Sequence, residues 1–371
     1  MADVYTNSIS RNKKRNRKHY GGKDLLRILL DALFTLLIPI LLFGTIVVIV
    51  CQYISPERSG MLSAIAIGAP IIYLIDIIAM FYWIVRWKWY RATIMIATVL
   101  LGLFYISRYY KFDFDRDYDT AYVERRYHKI MTYNVHEGVD EGLVPYIEKH
   151  NPDILCLQEM HYGSENWERL KASYKSSRKV DDDTNNFILT KHRILRSGVI
   201  ADLSSNCAVW ADLRIKDDTI RVVSLHLQST SISSEDTQFL ENHNYITDKE
   251  RESKLRSILS RLVENNQKRA IQAEVIADFL KQSPYRLVVC GDFNDVPLSY
   301  TYRQLSRKLD DTFSTTAEGF AYTYNTKYKL LRIDNIFVSP SVDVVSYEVD
   351  NKVALSDHYP VISRVKFELK R

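Results

Sequence analysis

The chain has 371 residues, of which 46% are hydrophobic, and a formal net charge of +5. It is therefore long enough for one large domain or two ordinary ones. The charge is uneven, because residues 128–371 carry 33 Lys and Arg against 35 Asp and Glu, a net of −2. A domain that holds duplex DNA usually has a basic surplus, so this balance weighs against nucleic acid. Four cysteines without a CxxC or Cys/His spacing weigh against a zinc site.

The first third of the chain is strongly apolar. Residues 28–54 and 61–87 each exceed the roughly 20 residues that a helix needs to cross a bilayer. A third, shorter segment at 89–107 is flanked by Trp and Tyr, which is typical of headgroup depth. We therefore predict a transmembrane region of three helices. Asp31 and Asp76 lie in or near these segments without an ionisable partner inside the spans.

Basic residues predict how this region is oriented. The tail at 1–27 holds eight Lys and Arg, the loop before the third segment holds Arg86, Lys88 and Arg91, and the first loop holds only Arg58. By the positive-inside rule the tail is cytoplasmic, and three crossings place the rest of the chain outside the cytoplasm of an inner or plasma membrane. If the third segment only lay in the interface, the domain would be cytoplasmic instead.

A charged and aromatic linker at 108–127 leads into a soluble domain at 128–371. Predicted strands cover 129–133, 154–158, 186–189, 208–215, 219–227, 286–290, 322–324, 336–338, 342–349 and 361–367. Predicted helices cover 142–150, 248–281 and 300–308, the second of them broken near 264–267, where its apolar stripe lapses. Strands mixed with helices favour a layered α/β domain.

Four short motifs end or follow these strands. They are TYNV with Asn134, LQE with Glu159, GDFND at 291–295 and SDHYP at 356–360. Delivery of carboxylates, amides and an imidazole to one rim is how a hydrolytic site is assembled on an α/β scaffold. Phosphate esters resist attack by an anionic nucleophile, and a metal ion with hydrogen-bonding groups relieves that repulsion. Because hard cations prefer oxygen ligands, Glu159 is the natural first ligand.

The remaining motif residues suit proton transfer and phosphate contact. Asp292 and Asn294 alternate onto one side of the chain, where the carboxylate suits a base or water-orienting group and the amide suits a donor to phosphoryl oxygens. His358 is a candidate acid, base or transition-state partner, and Asp334 in RIDNIF can supply the acceptor that orients its imidazole. Asp357 adjoins His358 and could reach the metal.

Together with His226 in SLHLQS, these residues occur in the order of the motifs of the endonuclease/exonuclease/phosphatase superfamily, which has the deoxyribonuclease I-like fold. The chain resembles this superfamily over about residues 128–369. The resemblance implies a four-layer α/β/β/α sandwich with two facing β-sheets, and a hydrolase that depends on Mg²⁺ or Mn²⁺. It implies metal ligation by Glu159, with Asn134 and Asp357 completing or bracketing the site. It further implies that Asp292 orients or deprotonates the water, Asn294 donates to the phosphate, His226 and His358 contact the scissile phosphate, and Asp334 holds His358.

These observations lead to one main functional expectation. We predict a membrane-anchored, divalent-metal-dependent phosphoesterase that cleaves a phosphomonoester or phosphodiester by attack of a metal-activated water. Its substrate would be a lipid or small molecule, and the polar segment at 229–247 could form a specificity loop. The alternatives are a membrane-tethered nuclease and, less favoured because no chemical residue is lost, an inactive binding scaffold.

Overall fold

The structure is a computed structural model that describes residues 22–111, 127–174, 176–178, 185–200, 208–231, 234–241, 248–326 and 329–367. Most of the basic tail, most of the predicted linker, Cys207 and the parts of the predicted specificity loop at 232–233 and 242–247 lie outside these residues.

Four helices form the apolar part of the chain: α1 (Gly22–Cys51), α2 (Gly60–Ile67), α3 (Ala69–Val85) and α4 (Trp89–Ile106). By length and composition α1 and α4 could each cross a membrane, and α2 with α3 forms a third candidate that is bent by 62°. The sequence predicts one helix over 61–87, whereas the structure has two. The break falls at Gly68 because Pro70, in the first turn of α3, has no N–H with which to continue the α2 hydrogen-bond ladder.

Asp31 has a charged partner that the sequence pattern did not reveal. Arg86 Nε and Nη2 donate to the two carboxylate oxygens at 2.9 and 2.8 Å, and the Tyr82 hydroxyl donates at 2.6 Å. Asp76 is buried and accepts a hydrogen bond from Thr45 Oγ1 at 2.7 Å. The Asp31–Arg86 pair spans 55 residues, so it forms only when α1 and α3 pack side by side.

The rest of the described chain is a four-layer α/β/β/α sandwich, as predicted. The strands are β1 (Tyr110–Lys111), β2 (His128–Glu137), β3 (Ile154–Met160), β4 (Ser176–Arg178), β5 (Asn186–Thr190), β6 (Arg193–Val199), β7 (Ala208–Ile215), β8 (Asp218–His226), β9 (Arg286–Asp292), β10 (Asp310–Asp311), β11 (Gly319–Phe320), β12 (Asp334–Val338), β13 (Asp343–Val349) and β14 (Val361–Lys366). The first six-stranded sheet has the order β10-β12-β9-β8-β7-β6, and the second has the order β13-β14-β2-β3-β5-β4.

This part of the described chain has six helices, four of which pack on the outer faces of the two sheets. The six are α5 (Leu143–His150), α6 (Glu165–Ser173), α7 (Ser234–Glu241), α8 (Asp248–Lys281), α9 (Tyr300–Ser306) and α10 (Thr312–Thr316). A central core of Val, Ile and Cys side chains lies between the sheets. One outer core packs α5 and α6 on the second sheet, and another packs α8 and α9 on the first. Burial of these alternating apolar faces is what fixes the strand register.

Two details of the predicted elements differ from the structure. No regular strand forms at 322–324; Tyr324 makes only an isolated bridge with His358. The long helix α8 is continuous and does not break near 264–267. The polar residues that interrupt its apolar stripe bind the first part of the chain. Asn266 Nδ2 donates to Ser63 Oγ of α2 at 2.6 Å, and Gln267 Nε2 donates to Pro56 O at 3.3 Å.

The apolar helices pack directly on the sandwich. Val48, Cys51 and Tyr109 share a buried cluster with Val296 and Leu298, which follow the GDFND motif. Within the expected linker, β1 pairs with β11 and joins the end of α4 to the sandwich. The sandwich and the apolar helices are therefore in direct contact rather than separated by a free tether.

Parallel pairing brings the motif strands to one rim of the sandwich. β2 is parallel to β3 and β8 is parallel to β9, so their carboxyl ends coincide within each sheet. The register places His226 opposite Asp292, and antiparallel pairing of β12 with β9 places Asp334 on the other side of Asp292. Three predicted site residues therefore form one row across the first sheet.

The approach of β8 to β9 at this row requires glycine at position 291. Gly291 has a φ of +135°, and a Cβ there would lie 2.0 Å from the carbonyl oxygen of Leu225. We expect Gly291→Ala to lower the free energy of unfolding by about 2–5 kcal/mol, from backbone strain and the forced separation of the strands. Gly163→Ala is the control, because φ is +79° there but no atom lies within 4 Å. Thermal and denaturant unfolding of the two purified variants would compare them, and equal losses would contradict this account.

Candidate active site

Four side chains from four strand ends meet between the two sheets. Asn134 ends the regular part of β2, and its Nδ2 donates to Glu159 Oε1 at 2.9 Å and to Asp292 Oδ2 at 3.1 Å. His226 Nε2 lies 3.3 Å from Glu159 Oε1 and 3.9 Å from Asp292 Oδ2. Asn134 and Asp292 are almost fully buried, whereas Glu159 and His226 are partly exposed. The bottom of the pocket is therefore buried, and its entrance is accessible to solvent.

A second imidazole approaches Asp292 from the other side. His358 Nε2 lies 3.8 Å from Asp292 Oδ2, and its Nδ1 donates to Asp334 Oδ2 at 2.9 Å. Backbone N–H groups of Ile333 and Asp334 both donate to Thr323 Oγ1. The Tyr324 ring packs 5.0 Å from the imidazole, centroid to centroid. Asp334 thus fixes the ring orientation of His358 and leaves its Nε2 facing Asp292.

Asn294 holds the Asp292 carboxylate in place. Its backbone N–H donates to Asp292 Oδ1 at 2.8 Å, and its Nδ2 donates to Asp292 Oδ2 and to Leu227 O, both at 3.1 Å. Asn294 has a φ of +50° and Glu159 a φ of +56°. Such left-handed conformations cost free energy in residues that carry a side chain. These conformations turn the Asn294 amide toward Asp292 and the Glu159 carboxylate toward Asn134.

Burial, hydrogen bonds and neighbouring charges shift the pKa values of several residues of the site. The hydrogen bond from His226 is the main cause that lowers the pKa of Glu159 to about 2, against the opposing effect of burial. Burial alone would lower the pKa of His358, but the carboxylates of Asp334 and Asp292 outweigh it and raise that pKa to about 10. The pKa of His226 is also raised, because Glu159 and Asp292 outweigh its burial. These shifts favour an ionised Glu159 carboxylate and a protonated His358 imidazole, while burial raises the pKa of Asp334 to about 6.

The donor set fits a hard divalent cation. One ligand atom from each of Glu159, His226 and Asp292 lies within 4.8 Å of the others, and Asp292, Asp334 and His358 form a second such group. The first group is more accessible to a cation, because Glu159 and His226 are partly exposed, whereas all three residues of the second group are buried. Two carboxylates with few nitrogen donors and no thiolate match Mg²⁺ or Mn²⁺ better than a soft metal.

Of the three predicted metal ligands, Asn134 and Asp357 lie outside the groups that could hold a cation, unlike Glu159. Asn134 presents its amide nitrogen to the carboxylates, and its Oδ1 accepts from the His136 N–H at 3.2 Å. It is a donor in this arrangement and would have to rotate its amide to ligate a cation. Asp357 is exposed and belongs to neither cation-binding group of the described residues. Its neighbour Ser356 donates to Asn134 O at 2.8 Å and so attaches this loop to β2.

Other residues near the site had a weaker sequence signal or none. His136 Nδ1 lies 3.5 Å from Glu159 Oε2, on a side chain that is largely exposed. Thr323 has no motif of its own, and only the contact described above identifies it. Behind the site, the buried Arg269 Nη1 donates to Gln228 O at 2.6 Å, and its Nε lies 3.6 Å from Asp295 Oδ2. Arg269 thus joins the loops that follow β8 and β9.

A family comparison agrees with this geometry. The model of the Endonuclease/Exonuclease/phosphatase family matches residues 131–358, which is more than half of the chain and includes every predicted site residue. The chain belongs to this family, and it is a hydrolase that acts on phosphoric esters. A second family model, described only as a domain of unknown function, matches residues 31–109, the apolar helices. No curated protein matches the chain at a significant level.

Solved structures of the same fold class match the sandwich. An endonuclease/exonuclease/phosphatase from Bacteroides vulgatus is 19% identical with a TM-score of 0.48, and the match covers 65% of this chain and 99% of that one. A humanized TDP2 from D. rerio is 18% identical with a TM-score of 0.47, over 65% and 99% of the two chains. A mannosyl-6-phosphatase from Bacteroides thetaiotaomicron is 17% identical with a TM-score of 0.46, over 65% and 100%.

The contact of Asp334 with His358 can be tested separately from metal binding. We expect Asp334→Asn to lower kcat by about 10²–10⁴, because His358 loses the acceptor that orients it and stabilises its charge. The KM and the dissociation constant for Mn²⁺ should change little. Asp350→Asn is a matched control, since Asp350 accepts from Tyr146 OH at 3.0 Å and lies 3.9 Å from His150, away from the site. Steady-state kinetics on a chromogenic phosphoester would test this, and an unchanged kcat would contradict it.

Proposed function

We propose that this protein is a membrane-anchored, divalent-metal-dependent phosphoesterase whose catalytic domain faces away from the cytoplasm. The observation that carries the proposal is the convergence of Glu159, His226 and Asp292 within 4.8 Å of one another, with His358 beside them. A bound Mg²⁺ or Mn²⁺ would lower the pKa of water and neutralise charge on the phosphoryl oxygens. Glu159 would be its main ligand, with Asn134 and Asp357 as proposed additional ligands.

The remaining residues have proposed roles that follow from their positions. Asp292, held by Asn294, is placed to orient the attacking water and accept its proton. His226 and His358 flank Asp292 and, with raised pKa values, are suited to stabilise charge on the scissile phosphate. Asn294 can donate to a phosphoryl oxygen if its amide leaves Asp292. Asp334 is a positioning residue for His358.

The contact between the two halves of the chain supports a substrate at the bilayer surface. Leu298 lies six residues after Asp292, and its carbonyl accepts from Cys51 Sγ at the end of α1, at 3.7 Å. The neighbouring Pro297 carbonyl accepts from Arg108 Nη1, just beyond α4, at 3.1 Å. The chain that leaves the active site is therefore attached to the ends of two proposed spans. Together with the near-neutral charge of the domain, this favours a lipid or small phosphoester over nucleic acid.

The same contact supports the proposed orientation. The ends of α1 and α4 touch the sandwich, while Arg86 pairs with Asp31 near the beginning of α1, at the opposite ends of the helices. The basic loop between α3 and α4 is thus remote from the catalytic domain. Positive residues that collect on the cytoplasmic side would place the domain on the other side.

Activity of the purified full chain tests the function. With Mg²⁺ or Mn²⁺ it should hydrolyse lipid or small phosphoesters, and excess chelator should abolish the activity. Glu159→Gln should reduce the rate and the Mn²⁺ affinity at least about a hundredfold, because the main ligand is lost. Glu348→Gln, an exposed site on β13, should change neither.

The substrate panel should include DNA and RNA. Hydrolysis of nucleic acid alone would favour the membrane-tethered nuclease. Metal binding without hydrolysis of any phosphoester would favour an inactive scaffold. Full activity in the presence of chelator would contradict metal dependence.

Membrane anchoring is tested by fractionation and reporter fusions. The full chain should remain in the membrane pellet after alkaline carbonate extraction. Alkaline phosphatase, which needs an oxidising compartment for its disulfides, should be active when fused at the carboxyl end and inactive when fused after Lys88. The reverse pattern of fusion activity would contradict the proposed orientation, and release by carbonate would contradict integral anchoring.

A further inference from the structure

A cavity of about 660 Å³ lies outside the active site. Its walls are the last turns of α8, most of α9 with the loop that follows it, the beginning of β9, and Arg108 just beyond α4. No residue of the candidate active site lines it. The cavity is therefore a separate concave surface at the junction between the apolar helices and the sandwich.

The side chains of this cavity combine cations with an apolar floor. Among the described residues that line the cavity, five are basic and none is Asp or Glu. The basic residues are Arg108, Lys281, Arg303, Arg307 and Lys308. Leu280, Leu287 and Leu305 beneath them are each less than a tenth exposed. Clustered positive charge is unfavourable unless an anion compensates it. A positive rim over an apolar floor suits a phosphate that carries a hydrocarbon group.

Not all of the cations are already neutralised. Lys281 Nζ pairs with Asp278 Oδ1 at 2.7 Å. Arg307 and Lys308 are exposed and make no ion pair with any described residue. The two exposed side chains are therefore available to a ligand.

The other two cations are attached to the ends of the proposed spans. Arg303 stacks on the ring of Tyr53, two residues beyond α1, with 3.9 Å between guanidinium carbon and ring centroid. Arg108 Nη1 donates to Gln52 Oε1 at 3.1 Å. Tyr53 is itself 58% exposed, and exposed aromatic rings next to spanning helices favour headgroup depth. The cavity therefore opens where lipid headgroups would lie.

We propose that this cavity binds the phosphate-bearing headgroup of an anionic phospholipid. Arg307 and Lys308 would contact the phosphate, while the glycerol and first acyl carbons would rest on the leucine floor. Arg and Lys bind phosphate oxygens through charge-assisted hydrogen bonds, and an apolar floor favours contact with the hydrocarbon part of the lipid. Occupancy would fix the sandwich against the bilayer surface. The inference depends on the proposed membrane anchoring but not on the proposed phosphoesterase activity.

Ligand titration of the full chain in a neutral detergent tests the proposal. The probes are dioctanoyl phosphatidylglycerol, dioctanoyl phosphatidylcholine and inorganic phosphate, with binding measured by calorimetry. We expect the anionic lipid to bind most tightly, and the double variant Arg307→Gln with Lys308→Gln to weaken it about tenfold or more. The matched control is Arg193→Gln with Lys352→Gln, which removes one exposed Arg and one exposed Lys outside the cavity and should bind like the unaltered protein.

Three outcomes would overturn the proposal. Equal affinity of the double variant and the control for phosphatidylglycerol would show that the lipid binds elsewhere. Inorganic phosphate that binds as tightly as the lipid would assign the cavity to a soluble anion. Equal binding of phosphatidylcholine would remove the need for an anionic headgroup. Thermal unfolding of both variants verifies that they fold, and because binding is measured directly, the result is independent of whether hydrolysis is found.

Discussion

The central constraint on this molecule is the parallel pairing of β8 with β9, made close by Gly291. It places His226 opposite Asp292 in one row of the first sheet, and the antiparallel neighbour β12 adds Asp334 to that row. The second sheet faces this row and contributes Asn134 and Glu159 through its own parallel pair. The site is therefore a property of the interface between sheets, and the apolar core that stacks them also sets the distances on which its chemistry depends.

A second constraint joins the site to the apolar helices. Asn266 on α8 binds Ser63 at the beginning of α2, and Gln267 binds Pro56 in the loop between α1 and α2. One turn further along α8, Arg269 hydrogen-bonds both Asn266 and the Gln228 carbonyl. Polar groups thus continue from the helix ends to the loops that follow His226 and Asp292. Because buried polar groups must be paired, movement of the helices relative to the sandwich would disrupt contacts directly behind the site.

Local patterns in the sequence predict the sandwich and name most of the residues that converge in the candidate site. The alternating segment at 219–227 predicts a strand, and β8 forms there. The GDFND motif, a glycine followed by mostly short polar side chains, directly follows a predicted apolar strand. Contacts between distant segments were not accessible in this way. The polar patch at 264–267 predicts a helix break when it is considered locally, because its partners Ser63 and Pro56 lie about 200 residues earlier in the chain. The partnership of Asp31 with Arg86, and the orientation of the Asn134 amide, likewise depend on tertiary packing that no local period encodes.

The account rests on one claim, that the carboxylates and imidazoles of two sheets surround a single divalent cation. Anomalous diffraction from crystals of the full chain grown with Mn²⁺ tests it most directly. The account predicts one strong peak within bonding distance of a Glu159 carboxylate oxygen, between the two sheets and beside Asp292. A peak located elsewhere, or an empty pocket at saturating Mn²⁺, would contradict it.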